Sequence, residues 1–351
     1  MTDTRGSDKQ RVALVFGGRS GEHDVSIVSA RFVDRALDRG KYEVVPMAID
    51  RQGLWAEADT ARRVLAESSD RPDDVVRFEG RHRLDPRLLE DAIDVAFPVL
   101  HGPYGEDGTI QGLFEMLDLP YVGSDSASSA LCMDKRFCKR MLAQAGLPTP
   151  AWVELDRTSW AEDRNLIIDQ CFDLGLPLFV KPARLGSSVG ISKVSEDVDL
   201  IPAIELALGH GDHALIEQGL DAREIEVAVL GDRHPRAAVP GEVIPGHEFY
   251  DYEDKYLDSA CELLAPAPLA EETTAAAQDL GVKAFRLLGC SGMARVDLFL
   301  ETTSDRLWVN EVNTIPGFTS ISMYPRLWGL SGLEYPGLLD ELIQLALERR
   351  A

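Results

Sequence analysis

Four hydrophilic side chains interrupt two apolar runs late in this 351-residue chain: Arg295 and Asp297 in residues 292–300, then Glu311 and Asn313 in and just beyond residues 307–312. Both runs have strand composition, and strand periodicity sends residues two apart to one face. Arg295 therefore shares a face with Asp297, and Glu311 shares one with Asn313. If the two strands pair, two carboxylates, an amide oxygen and a guanidinium converge. Oxygen donors at that density suit a hard cation such as Mg²⁺, which takes oxygen ligands and substrate phosphates. The alternative is a sheet with a solvated polar face, although Asp and Asn are poor strand formers. Gly317 and Ser322 follow in a turn that could bring backbone N–H groups toward the same spot.

These groups need a frame, and bulk properties bound it. The length suits two or three domains, and 45% hydrophobic with 27% charged residues is ordinary globular composition. A net charge of −23 argues against nucleic acid or an anionic membrane as a partner, so anionic ligands need local positive groups. No stretch approaches the roughly 18 apolar residues of a membrane span. Residues 1–10 are polar, lack a signal-peptide core and read as a frayed tail. The five cysteines (Cys132, Cys138, Cys171, Cys261, Cys290) are odd in number without Cys-x-x-Cys spacing. They read as small buried apolar residues in a reducing cytoplasm rather than as a disulfide or zinc framework.

Along the chain, a strand at 11–16 runs into Gly17-Gly18-Arg19-Ser20-Gly21-Glu22, a helix follows over 24–39, and a second strand spans 42–49. That unit begins a parallel α/β sheet. A buried strand at 94–100 ends in the glycine loop 101–108, before a helix at 109–117. Residues 51–91 are charged and irregular, an insertion or a pair of surface helices. One helix is expected over 126–145, strands at 151–155 and 178–181, and a Gly/Ser hairpin tip at 184–190. Further strands fall at 215–217, 224–230 and 237–244, a polar aromatic loop at 246–256, and helices at 271–288 and 335–349. Boundaries near 124 and 220 give a tail (1–10), an N-terminal α/β domain (11–124), a central domain (125–219) and a C-terminal domain (220–351).

The first glycine loop has the wrong spacing for Gly-x-Gly-x-x-Gly, which argues against a dinucleotide site. Glu22 is either an ammonium-binding carboxylate or a helix-start acid favoured by the macrodipole. The second loop, Arg184-Leu-Gly-Ser187-Ser188-Val-Gly190, is no P-loop; it is either a plain hairpin or one that closes over phosphates with its backbone N–H groups. Lys181 ends the preceding strand beside it, whereas Lys135 on its helix reads alone as a surface lysine. Residues 216–220 form a strand entering a linker, where exposed amides could meet an adenine edge.

Taken together, Phe16-Gly-Gly-Arg-Ser-Gly-Glu-His-Asp-Val-Ser26, His101-Gly-Pro-Tyr-Gly-Glu-Asp-Gly-Thr-Ile-Gln-Gly112, Val180-Lys-Pro-Ala-Arg-Leu-Gly-Ser-Ser-Val-Gly190, Tyr250-Asp-Tyr-Glu-Asp-Lys-Tyr256, Arg295-Val-Asp297 and Asn310-Glu-Val-Asn-Thr-Ile-Pro-Gly-Phe-Thr-Ser320 resemble the D-alanine–D-alanine ligase family of ATP-grasp enzymes. The resemblance runs from about residue 11 to 348. It implies an α/β fold, α+β in part, with a parallel N-terminal domain, a small central domain and a C-terminal antiparallel domain, ATP lying between the last two.

By that resemblance Lys135 and Lys181 hold phosphates, with Ser187 and Ser188 in the loop above. Glu217, Gln218, Gly219 and Leu220 meet the adenine, Glu224 meets the ribose, and Phe299 also binds the nucleotide. Asp297, Glu311 and Asn313 bind two Mg²⁺ ions, for which Mn²⁺ can substitute; a monovalent cation can activate some members. Glu22 and His101 receive the first D-alanine, and Arg295 and the Gly317 N–H stabilise the oxyanion. Lys255, near the nucleotide, holds the second carboxylate with Ser322. Ser187, Tyr256 and Glu22 form a set joining three domains, and 246–256 acts as a lid. Tyr256 favours the dipeptide over the D-alanine–D-lactate ester, while Leu185 and Asp254 depart from the common pattern at lid positions. The implied enzyme is a cytoplasmic homodimer that makes D-alanyl-D-alanine for peptidoglycan, with no nucleic-acid or membrane partner. Another ATP-grasp ligase and a non-catalytic nucleotide module are the competing readings; none of Lys135, Lys181, Asp297, Glu311 or Asn313 is missing, as the second would require.

Overall fold

Unbroken apolar runs require strands covered on both sides, and the first sheet is built that way. In this computed structural model, which describes residues 9–83, 93–186, 188–245 and 262–349, β1 (Gln10–Gly17) is fully buried from Val12 onward. It lies between β2 (Tyr42–Ile49) and β3 (Val95–Pro98), parallel to both. Parallel neighbours need a crossover; α1 (His23–Ala36) supplies it, with Ile27, Ala30 and Val33 buried. Among the described residues of the charged stretch after β2 are α2 (Ala58–Ala66) and a 3₁₀ turn (Pro72–Asp74). α3 (Thr109–Met116) follows the glycine loop after β3.

The helix expected over 126–145 is two helices, α4 (Ser126–Met133) and α5 (Lys135–Gln144). Asp134 is extended between them (φ −86, ψ 100), and its carboxylate caps α5 by accepting from the Arg136 N–H. A short acid at an N-cap satisfies an otherwise orphaned donor, which explains the break. The break puts Lys135 at the first position of α5. Its N–H reaches Ala183 O at 3.0 Å, and Arg184 Nε donates to Asp134 Oδ2 at 2.7 Å, so the hairpin after β5 and the start of α5 are tied together.

The second sheet contains β4 (Trp152–Asp156), β5 (Leu178–Pro182), β6 (Ser192–Val194) and β7 (His213–Gln218), all antiparallel in the order β4-β7-β5-β6. Helices α6 (Arg157–Glu162), α7 (Arg164–Asp173) and α8 (Leu200–Gly209) pack against it. Trp160, Ile167, Cys171, Ile204 and Ala207 join Leu178, Val180, Ala214 and Ile216 in a separate apolar cluster. By strand alternation, Phe179, Lys181 and Glu217 face away from those helices.

The third sheet runs β11 (Glu262–Leu264), β10 (Gly241–Ile244), β8 (Ala222–Gly231), β12 (Gly292–Glu301), β13 (Leu307–Asn313), with β9 (Arg236–Ala237) also on β8. A single strand was expected over 237–244. It is two pieces, because the intervening segment contains Pro240, which has no N–H for a ladder. α9 (Glu271–Leu287) covers one face through Ala277, Ala284 and Phe285 against Ile225, Val227 and Val296. Gly281 of α9 lies so close that a Cβ there would sit 2.9 Å from Val227 Cγ1. On the opposite face Ala228, Leu230 and Met293 join α10 (Met323–Leu330), α11 (Tyr335–Glu348) and the first sheet's Val12, Leu14 and Phe97 in one cluster. The first and third sheets therefore share a core, whereas the second has its own. No helix among the described residues is long and apolar enough to cross a membrane.

Candidate active site

β12 changes character in steps of two along one face. Met293 is wholly buried in the shared core, and then Arg295, Asp297 and Phe299 emerge into a cleft. Residues directly opposite one another in antiparallel pairs project to the same side. Asp297 is opposite Glu226 on β8 and Glu311 on β13, and Arg295 is opposite Asn313. The expected convergence of Arg295, Asp297, Glu311 and Asn313 is present. A register shift after Asp297 separates this polar block from the apolar remainder of β13. Arg295 grips both Asp297 oxygens, Nε and Nη2 each at 2.7 Å, and Asn313 Nδ2 donates to Asp297 Oδ2 at 2.9 Å. Arg295 Nε also lies 3.3 Å from Glu226 Oε1.

The second sheet supplies the facing wall. Lys181 Nζ donates to Glu217 Oε2 at 2.8 Å, and Lys139 Nζ lies 3.4 Å from Glu217 Oε1. Burial alone would push the Glu217 carboxyl up, but Lys139 and Lys181 outweigh it and hold the group below the usual carboxylate range. Burial pulls Lys139 down. For Lys181 the pull of burial is outweighed by Glu217, and the ammonium is held above its ordinary value. Lys135 joins the walls: Nζ donates to Leu185 O at 2.8 Å and lies 3.5 Å from Glu311 Oε2.

Between the walls is a cavity of about 430 Å³, lined among others by Lys135, Lys181, Ser188, Glu217, Gln218, Leu220, Glu224, Asp297, Phe299 and Glu311. That size suits a nucleotide-sized ligand. Gly219 is not among its lining residues. Its N–H donates to Pro177 O at 2.8 Å, and the Gln218 N–H to Ala151 O at 2.9 Å. The expectation of open amides along 216–220 therefore fails at these two positions, where strand pairing has taken them.

A smaller cavity of about 90 Å³ adjoins the first, sharing Gly186, Glu226, Arg295 and Glu311 with it. Glu22, His101, Gly317 and Ser322 line it, together with Glu106. Glu22 precedes α1 without capping it. Its Oε2 lies 2.9 Å from where a Cβ on Gly102 would sit and 3.7 Å from the same point on Gly186, so it reaches both glycine loops. Gly102 has φ +72, a conformation open to glycine. Gly317 is required by proximity: a Cβ there would fall 2.6 Å from Ser322 Oγ.

Residues 101–106 hold the turn that carries Gly317. His101 Nδ1 lies 3.1 Å from Ile315 O, and Nε2 3.2 Å from Ser29 Oγ. Burial lowers the His101 pKa, favouring the neutral ring. A carbonyl can only accept, so Nδ1 carries the proton and Nε2 accepts from Ser29. Ser29 Oγ in turn accepts from the Phe318 N–H at 3.4 Å. Glu106 accepts from the Gly102 N–H at 2.7 Å and the Ile315 N–H at 3.2 Å. Burial first, then the Glu22 charge, push its pKa up to about 8.

The cation reading can be tested on donor chemistry. Among the described residues, no cluster of three or more His, Cys, Asp or Glu side chains is placed to hold a metal by itself. Asp297, Glu311 and Asn313 offer two carboxylates and an amide, an all-oxygen set completed only by oxygens from a ligand. Mg²⁺ coordinated to a polyphosphate supplies those oxygens, so the set fits, provided Asp297 exchanges part of its Arg295 contact. Ser187, Lys255, Tyr256, Asp254, Cys261 and the lid 246–256 lie outside the described residues. Lys139, Glu226, Glu106 and Ser29 were not singled out from sequence. Lys139 lies four residues after Lys135 on one helix face, and Glu226 two after Glu224 on one strand face, so spacing alone could have flagged both.

Family comparison agrees with this geometry over nearly the whole chain. A family model described as D-ala D-ala ligase N-terminus matches residues 11–124, and one described as D-ala D-ala ligase C-terminus matches residues 141–344. The D-alanine–D-alanine ligase of Thermoanaerobacter sp. (strain X514) is 48% identical over 97% of each chain. The solved D-alanine-D-alanine ligase from Coxiella burnetii has a TM-score of 0.82 at 37% identity, covering 98% of this chain and 95% of that one. A D-Ala:D-Ser ligase from Enterococcus faecalis has a TM-score of 0.80 at 34% identity, covering 96% and 99%.

Proposed function

The chain belongs to the D-alanine–D-alanine ligase family, and we propose on that premise that its two adjoining cavities join two D-alanine molecules with ATP as the energy source. The observation that carries the reading is the Asp297–Glu311 cross-strand pair in the larger cavity, with Glu311 bordering the smaller one too and Lys135 beside it. Peptide formation from a free carboxylate is uphill and needs an activated acyl group. The first D-alanine carboxylate attacks the γ-phosphorus, ADP leaves, and an acyl phosphate results. The amine of the second D-alanine attacks that carbonyl and phosphate departs.

The larger cavity takes ATP. Gln218, Leu220 and Phe299 bound its base end with Gly219 behind them, Glu224 meets the ribose, and Lys135, Lys181 and Ser188 face the phosphates. Lys135 opens α5, so the positive end of that helix adds to its own charge. Asp297, Glu311 and Asn313 would hold two Mg²⁺ ions, or Mn²⁺ in their place, and these ions supply charge neutralisation on the transferring phosphoryl group. Glu217, fixed between Lys139 and Lys181, keeps both ammonium groups oriented. In the smaller cavity Glu22 receives the first substrate's ammonium beside His101. Arg295 and the Gly317 N–H meet the developing oxyanion, where one such donor contributes about 3–4 kcal/mol. Ser322 takes the second carboxylate.

Motif alone assigns Lys255 to that carboxylate and to the nucleotide side, Ser187 and Tyr256 to a set with Glu22, and 246–256 to the lid. The domain limits at 124 and 219, a cytoplasmic homodimer, a role in peptidoglycan precursor synthesis and activation by a monovalent cation belong to the same proposal. Every named relative is an amide former, which favours dipeptide over the D-alanine–D-lactate ester. Product mass decides: ATP, Mg²⁺ and D-alanine should yield D-alanyl-D-alanine with stoichiometric ADP and phosphate. Added D-lactate should give no ester. ATP turnover without a D-alanine requirement would refute the reading.

A further inference from the structure

We infer that Glu226 is a positioning residue that keeps Arg295 in place when the Asp297 carboxylate turns to a divalent cation. Glu226, Asp297 and Glu311 stand in register across three adjacent strands and project to one side. Arg295 occupies the space between the first two: Nε lies 2.7 Å from Asp297 Oδ1 and 3.3 Å from Glu226 Oε1, while Nη2 lies 2.7 Å from Asp297 Oδ2. Both Asp297 oxygens are thus engaged by the guanidinium. A cation bound at Asp297 draws on at least one of them, so it competes with Arg295 for that carboxylate and weakens the guanidinium's hold there.

Arg295 is mostly enclosed, its side chain 18% exposed, and an enclosed guanidinium that loses its carboxylate is costly. Glu226 is more enclosed still, 6% exposed, and is already within ion-pair distance. A small adjustment of the side chains transfers the guanidinium from one carboxylate toward the other without removing it from the junction of the cavities, which Glu226 lines on both sides. Glu226 is not itself a ligand on this geometry. The guanidinium stands between it and Asp297, and among the described residues no three acidic side chains cluster closely enough to hold a metal. The contact resembles that of groups behind metal ligands, which tune affinity without touching the ion.

The inference rests on Asp297 and Glu311 being cation ligands, and the test separates the two claims. Mn²⁺ is titrated into the full chain with ADP, following the electron paramagnetic resonance of free Mn²⁺. Glu226→Gln should weaken Mn²⁺ binding about 10-fold, with metal-free ADP affinity unchanged and turnover falling at saturating substrates. Glu226→Asp, which keeps the charge, should recover part of the loss. A residue that merely braced the sheet would lower the melting temperature and leave Mn²⁺ affinity alone; wild-type Mn²⁺ binding in Glu226→Gln overturns the inference. Should that variant not fold, Glu226→Asp decides by itself: a weakened Mn²⁺ affinity supports the inference and an unchanged one refutes it. Asp297→Asn tests the premise. If it loses Mn²⁺ while Glu226→Gln does not, only the role of Glu226 fails; if it binds Mn²⁺ as the wild type does, the ligand set itself is wrong.

Discussion

The two walls of the larger cavity contain charged clusters in different states. On the second sheet Glu217 is held between Lys139 and Lys181, with side-chain exposures of 3%, 1% and 10%. On the third sheet Asp297, Arg295 and Glu311 are 14%, 18% and 29% exposed. The first cluster sets two ammonium groups on one carboxylate and is the more hidden, whereas the second sets one guanidinium among two carboxylates and is the more open. Lys181 and Glu217 of the hidden cluster still line the cavity, whereas Lys139 does not, so Lys139 is the member that acts on stability and geometry rather than on a ligand. The two clusters are opposite in net charge, cationic on the second sheet and anionic on the third, and they differ in burial and pairing as well.

Removing one charge at a time should sharpen that contrast. The largest effect is expected from the open wall: Glu311→Gln should lower turnover by at least about 100-fold, beyond what groups behind a metal ligand usually cost, with little change in melting temperature. Equal losses of stability and activity would erase the distinction between the walls. Gly317→Ala lies beside the open wall, where its Cβ would meet Ser322 Oγ at 2.6 Å. Displacing the turn by even a fraction of an ångström should cost roughly 10-fold or more in turnover, seen in steady-state kinetics with ATP affinity intact.

The hidden wall should answer differently. Lys139→Met leaves Glu217 with Lys181 alone and deprives Thr149 of its 2.9 Å contact. A loss of about 1–3 kcal/mol in urea unfolding is expected, exceeding its effect on turnover. The smallest effect concerns Glu106, outside both walls. Its carboxyl titrates near 8 in the folded chain against an ordinary 4.5. Between those values the folded state keeps a proton that the unfolded state has released, so this group lowers stability as pH rises across that window. The free energy of unfolding should therefore decline more steeply between pH 5 and 8 for the wild type than for Glu106→Gln.

Much of this was legible in residue order. Period-two alternation put Arg295 with Asp297 and Glu311 with Asn313, and both strands formed close to their expected limits, since a strand face is a local property. What local reading misses is partner choice. Lys139 and Glu217, or Glu106 and the Ile315 N–H, meet only through the fold, and nothing near either residue in sequence names the other. The broken helix at Asp134 is a different kind of miss. Its capping tendency was visible, but apolar periodicity on both sides masked it. Pro240 divided an expected strand for a reason equally open to view. The roles that motif alone gave to Ser187, Lys255 and Tyr256 fall outside the described residues.

The seam joining the first and third sheets bears on how the chain is made. Residues of β1 and β3 find part of their covering in Leu230, Met293, Leu338 and Leu342, which leave the ribosome long after them. The opening 124 residues should therefore wait, incompletely clothed, until the tail is synthesised, while the second sheet can fold in the interval. A fragment ending near 124 should aggregate when expressed alone, and one spanning 151–219, which leaves out the helices that pack on the third sheet, should not.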